Sequence, residues 1–238
     1  MFRQTTRDFC VNQQFRKDYW VKGCRTLTAL EQAEALRGQR ILLAQPRADV
    51  GLKVTGSLGE ATLQEAVYGP ILDQLADHKP KTLGQLEQAL KATPSTQSLS
   101  FAQILQAAMV LSATGAVQAV QDDAVVQKAK KRTDRLNVYL MTKARSSNEL
   151  SYLASPVTGG GVTVPRFQQL FLLAKQQGHK HPQDWANFVW NILALQNQRL
   201  VKDGKTLETV EENLAELTAQ ASEFAEKQLP ILKALQIA

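Results

Sequence analysis

Three helix starts in close succession between residues 70 and 121 constrain this chain's fold more than any other feature. Pro70 suits a first helical turn, after which Ile71, Leu72 and Leu75 fall on one face. Thr82 with Gln85, and Ser100 with Gln103, have capping-box spacing, in which hydroxyl and N3 side chain satisfy each other's free amides. They open LGQLEQALK and FAQILQAAMVLSATG, and Gly115 stops the second. AVQAVQ (116–121) then reads as a strand. Helices of roughly nine, nine and fourteen residues closed by a strand outline a winged helix.

Upstream, Thr28 and Glu31 form another capping box, predicting a short helix that ends near Gly38. ILLAQ (41–45) reads as a buried strand ended by Pro46. Gly51, Gly56 and Gly59 divide residues 50–67 into strand-sized pieces, favouring a hairpin with its turn at Gly56 to Gly59; a helix over 60–68 competes with it. A long helical stretch from Asp122 to about Arg145, basic at its centre (KAKKRTDR, 128–135), reads as a connector. Beyond it come two extended pieces, 151–155 and 161–164, around a glycine turn, then helices opened by Pro165 and Pro182. A reverse passage at Asp203-Gly204 precedes a last helix over about 209–228, which Pro230 ends or bends. The expected fold is α+β and helix-rich. It comprises a strand-helix segment with a winged-helix-like unit over 1–121, a helical connector over 122–150, and a mostly helical lobe over 151–238.

A chain of 238 residues, 44% apolar and 21% charged, is long enough for a self-supporting core. Its net charge of +6 admits nucleic acid or an acidic protein surface as partner without demanding either. Cys10 and Cys24 are too few for a disulfide framework or a four-ligand zinc site, so reduced thiols in a cytoplasmic protein are expected. Arg3, Arg7 and Asp8 interrupt any secretory leader, and no apolar run reaches the ~18 residues that cross a bilayer.

The most particular stretch is Thr6 to Gly23, TRDFCVNQQFRKDYWVKG. Phe15, Lys17 and Tyr19 alternate with Arg16, Asp18 and Trp20, which predicts a strand with aromatics on both faces. Such a strand needs cover on both sides, from an ordinary core or from a neighbouring domain. Phe15, Arg16, Tyr19 and Trp20 are the candidate docking residues. The order Arg-Asp-Phe, Asn12, Phe15-Arg16 and an aromatic pair before Val21 resembles the opening of the methyltransferase regulatory region. That region accompanies the catalytic domain of a family of bacterial class I S-adenosylmethionine-dependent methyltransferases. Further similar segments follow in order: TALEQAEALR (28–37), PKTLGQLEQAL (80–90), LASPVTGGGVTVPRFQQLFLLA (153–174) and QNQRLVKDGKTLET (196–209). The resemblance runs nearly end to end.

Candidate chemistry is sparse. Thr158-Gly159-Gly160-Gly161 could offer bare amides to a phosphate, but its spacing is neither a dinucleotide nor a P-loop fingerprint, and position 181 is a histidine where an acid would meet a ribose. It reads as a turn. His179-Lys180-His181, without cysteine or paired carboxylates nearby, reads as a solvated loop rather than a metal site, and Cys10 as a packed residue rather than a nucleophile. No strand, glycine loop and following acid that would hold S-adenosylmethionine is found, so the resemblance implies that this cofactor sits on a separate catalytic domain. The expectation is therefore no catalytic, cofactor or metal residue in this chain. Its implied role is regulatory or substrate-recognising, with the catalytic domain as partner and a protein as substrate, as in some members of the family. The alternative is a winged-helix module for nucleic acid or protein. The third helix, FAQILQAAMVLSATG, has no lysine or arginine with which to read DNA, which argues against nucleic acid and leaves Lys128 to Arg135 as the candidate contact.

Overall fold

A computed structural model describes residues 2–13, 15, 18, 20–56 and 59–238. Helix accounts for 54% and strand for 13%, which makes the protein a helix-rich α+β chain. It divides into two compact units, Met1–Ile41 with Arg47–Val117, and Leu42–Pro46 with Gln118–Ala238.

The elements of the first part of the chain are α1 (Phe2–Cys10), α2 (Ala29–Arg37), β1 (Arg40–Leu43), β2 (Lys53–Gly56), β3 (Gly59–Thr62), α3 (Glu65–Gln74), β4 (Lys81–Thr82), α4 (Leu83–Lys91), α5 (Phe101–Ala113) and β5 (Val117–Ala119). β1 stands between β4 and β5, with Arg40 opposite Thr82 and Ile41 opposite Lys81 in an antiparallel pair. The expected three helices and strand are present as α3, α4, α5 and β5. Both expected capping boxes form: Thr82 Oγ1 accepts from Gln85 N at 3.0 Å, and Ser100 Oγ accepts from Gln103 N at 3.3 Å. Leu72, Leu75, Leu86, Leu90, Ile104 and Leu111 close the core of this unit. The hairpin reading holds over the competing helix, since Gly56 faces Gly59 across β2 and β3. Pro70 differs from expectation: the helix begins five residues earlier, at Glu65, and encloses it. The bond its missing N–H would have made falls on the carbonyl of exposed Ala66, where water can replace it.

The remaining elements are α6 (Asp123–Lys143), β6 (Tyr152–Ser155), β7 (Gly160–Thr163), α7 (Arg166–Gln176), α8 (Pro182–Leu195), β8 (Val201–Lys202), β9 (Lys205–Thr206), α9 (Val210–Glu223) and α10 (Leu229–Ala234). The stretch read as a connector is integral to the second unit, because α6 buries Val126, Asn137 and Met141 and packs on β6 and α7. Helix α8 packs on both α7 and α9. At the centre, the Phe171 ring lies 5.6 Å from that of Phe224, and Trp185 meets Phe224 edge-on at 6.1 Å. Buried amides tie irregular backbone to this core. Asn137 donates to the Ala154 carbonyl at 2.8 Å and accepts from its N–H at 2.7 Å, so one side chain completes the edge of β6. Asn213 accepts from Leu200 N and donates to the carbonyls of Leu207 and Thr209. Pro230 does not end the helical run. A π-turn over Phe224–Gln228, in which Leu229 N–H donates to the Phe224 carbonyl, realigns the chain so that the proline enters the first turn of α10.

Candidate docking surface

The stretch from Thr6 to Gly23 starts as helix, which the alternation over residues 15–20 did not foresee. Phe2, Thr5, Thr6 and Phe9 recur at helical spacing in α1, and Gln4 Nε2 donates to Asp8 Oδ1 one turn on, at 3.0 Å. Asn12 then takes the left-handed conformation at φ 51°, while Gln13 N donates to the Asp8 carbonyl at 2.8 Å and Asn12 N to that of Phe9 at 3.3 Å. This is a Schellman stop, and it places the helix end where the period-two pattern begins. Neither Phe15, Asp18 nor Trp20 lies in a strand, because no described strand pairs with them. Arg16 and Tyr19 lie outside the described residues.

What distinguishes this stretch is exposure. Helices α1 and α2 bury no residue. Phe2, Phe9, Phe15 and Trp20 are 85%, 83%, 85% and 74% exposed, and Val21 and Leu30 are each 71% exposed. Scattered surface apolar residues are ordinary, but four exposed aromatic rings among the described residues of positions 2–20 are a concentration suited to association. Its charges are set locally. The Arg25 guanidinium, bonded to Glu31 at 2.9 and 3.2 Å, together with the Thr28 N–H and hydroxyl, lowers the Glu31 carboxyl to about 2. Glu31 also completes the expected capping box of α2 with Thr28. At the other end of α2, Arg37 bonds the buried Glu87 of α4 at 2.7 Å and lies 4.4 Å from the Phe101 ring centroid. That residue is the principal polar anchor of α2.

The other candidates resolve into structural roles. The amides at the start of the candidate run are occupied: Val157 N and Thr158 N donate to Ser155 Oγ, and Gly159 N donates to the Ser155 carbonyl. Gly159 is in the left-handed region at φ 71°, and a Cβ there would come within 3.2 Å of the Gln121 side chain, so the turn itself requires glycine. His181 caps α8 with Asp184, and His179 packs on Phe188 while its carbonyl receives Trp185 Nε1–H at 2.9 Å. Among the described residues no group of three His, Cys, Asp or Glu could hold a metal ion. Cys10 and Cys24 are exposed thiols, so Cys10 is not a packed residue. On α6, Lys128, Lys131, Arg132 and Arg135 face solvent, and Lys130 pairs with Asp134. No described helix is long and apolar enough to cross a membrane. Sequence reasoning missed Phe2 and the helical face it shares with Phe9, although their spacing of seven was legible.

An uncharacterized protein of Synechocystis sp. is 38% identical to this chain over 236 residues, which is 99% of the chain and 45% of that protein. The chain thus spans less than half the length of the relative it matches. No protein-family model matches the chain. No solved structure matches it.

Proposed function

We propose that this chain is a regulatory and substrate-recognition part of a class I S-adenosylmethionine-dependent methyltransferase, docking to a catalytic domain and placing a protein substrate before it. The observation that carries the reading is the uncovered aromatic segment, in which Phe9, Phe15 and Trp20 stand exposed on the stretch that opens the resemblance to the methyltransferase regulatory region. The ordered similar segments through position 209 support it, as does a relative more than twice as long, in which this region is joined to further sequence. Placement alone is a sufficient catalytic contribution, since holding a substrate in near-attack geometry supplies a large share of many rate enhancements.

The test is transfer of labelled methyl groups from S-adenosylmethionine into lysate protein. Three samples are compared: this chain, the remainder of the Synechocystis relative, and the two mixed. Transfer by the mixture alone is expected, with a loss of about tenfold or more when Phe15→Ala and Trp20→Ala remove two rings from the contact. Transfer by this chain alone, or a mixture no more active than the remainder, overturns the reading.

A further inference from the structure

A cavity of about 280 Å³ in the first unit opens beside the start of α3 and the outer face of α5. Thr62, Gln64, Val67, Tyr68, Gln103 and Gln106 line it, and no charged side chain does. Tyr68 is only 8% exposed, yet its hydroxyl makes no hydrogen bond to a described residue and is not fully enclosed. A tyrosine so deeply buried normally finds a partner for its hydroxyl. The amides around it are equally unspent. Gln64 occupies the N-cap of α3 without capping it, and Gln106 makes no side-chain bond to a described residue. Gln103 uses only Oε1, in the capping box of α5, which leaves its Nε2 unbonded among the described residues.

We infer that this cavity binds a short, neutral peptide segment through its main-chain amides. Three carboxamides from two elements, with a tyrosine and a threonine hydroxyl, offer donors and acceptors side by side, the arrangement that complements the N–H and C=O of a peptide group. A charged ligand would lose its hydration there without meeting an opposite charge, and a purely apolar one would cover the Tyr68 hydroxyl without pairing it. Val67 supplies an apolar wall for a small side chain. The volume is at the small end for ligand sites, suited to about two residues of peptide. This inference is independent of the methyltransferase reading and is tested with neither methyl donor nor catalytic domain present.

The experiment is an NMR titration of the full chain with N-acetyl-alanyl-glycinamide, following the side-chain amides of Gln64, Gln103 and Gln106. Saturable shifts at these amides are expected, with a dissociation constant on the order of 1 mM, the scale set by ligand efficiency for so small a compound. Gln106→Leu, at an exposed position that leaves the fold intact, and Tyr68→Phe should each weaken binding roughly three- to tenfold. The unblocked zwitterion alanyl-glycine should bind more weakly by at least about fivefold, because its charged ends are desolvated without partners. Absence of saturation at about ten times the expected constant, equal binding of the zwitterion or of uridine, or undiminished binding by Gln106→Leu would each overturn the assignment. Should Tyr68→Phe fail to fold, Gln106→Leu decides alone.

Discussion

The first 37 residues and the second unit use aromatic residues to opposite ends. Phe2, Phe9, Phe15 and Trp20 stand in solvent, whereas Phe171, Trp185 and Phe224 are at most 3% exposed and the first two both pack on the ring of Phe224. Helix α1 is more strongly amphipathic than α7, but α7 has α6 and α8 against it, while no residue of α1 is buried. Leaving a large apolar side chain in water forgoes about 1.5–3 kcal/mol relative to burying it. The difference teaches that residue type sets how much association energy is available, and that only a facing surface decides whether it is realised.

Truncating Phe171 to alanine should produce the largest effect, a loss of about 3–5 kcal/mol in urea unfolding, because it empties a closed aromatic cluster. Phe15→Ala and Trp20→Ala should change the stability of the isolated chain by less than about 0.5 kcal/mol. A loss above about 1 kcal/mol from Trp20→Ala would break the comparison, since it would mean that the ring is already covered.

Next in size is Asn213→Ala, which leaves the Leu200 amide and the carbonyls of Leu207 and Thr209 short of their partner. It should cost about 1–3 kcal/mol, measured by the same unfolding curves. A cost near zero would mean that water replaces the amide, and that the second unit is less closed than its burial pattern indicates.

The anchor of α2 sharpens the comparison from the other side. Bonds from Arg37 first and Lys91 second lower the Glu87 carboxyl below the usual glutamate range. A depressed carboxylate stabilises the fold above its unfolded value and loses that contribution as pH falls through its folded value. Stability of the first unit should therefore decline on acidification below the ordinary glutamate value of about 4.3, and the decline should be shallower in Glu87→Gln. An identical pH profile for both proteins would remove Glu87 from the account.

The smallest effect concerns the α2 cap. Thr28→Ala should lower amide-exchange protection within residues 29–37 by roughly three- to tenfold while the global unfolding midpoint stays unchanged. Because Glu31 is held to about 2, wild-type protection at these amides should persist at pH 4 and fade only as pH approaches 2. Protection that fades near pH 4 instead would show that the Arg25 pair does not hold in solution.

Local chemistry was legible in the chain and long-range cover was not. The boxes at Thr28, Thr82 and Ser100, the hairpin turn at Gly56 to Gly59 and the glycine turn before β7 each rest on residues within a few positions of one another, and each appears where the pattern puts it. The strand reading failed at Phe15, Asp18 and Trp20 because alternation says nothing of whether a pairing edge exists, and the helix that Asn12 stops ahead of them had gone unread. Pro70 was misplaced because tertiary burial of Tyr68, Ile71 and Leu72 outweighs one lost hydrogen bond on the solvent side. Of the docking residues, Phe15 and Trp20 were picked out by crowding alone, and their exposure was the part that crowding could not supply. The cavity at Tyr68 had no sequence signal, since Gln64 precedes α3 while Gln103 and Gln106 stand on α5, about forty positions away.

The amino-acid sequence by itself determined the capped helix starts at Thr28, Thr82 and Ser100, the turns and the helix-rich α+β class, because these follow from backbone conformation and hydrogen bonds closed within a few residues. Tertiary structure alone decided which apolar faces are covered, that α6 belongs to a core rather than linking two, and that Asn137, Gln169 and Asn213 are buried as ties to irregular backbone. Burial is a property of pairs of surfaces, and those pairs are formed by residues tens of positions apart.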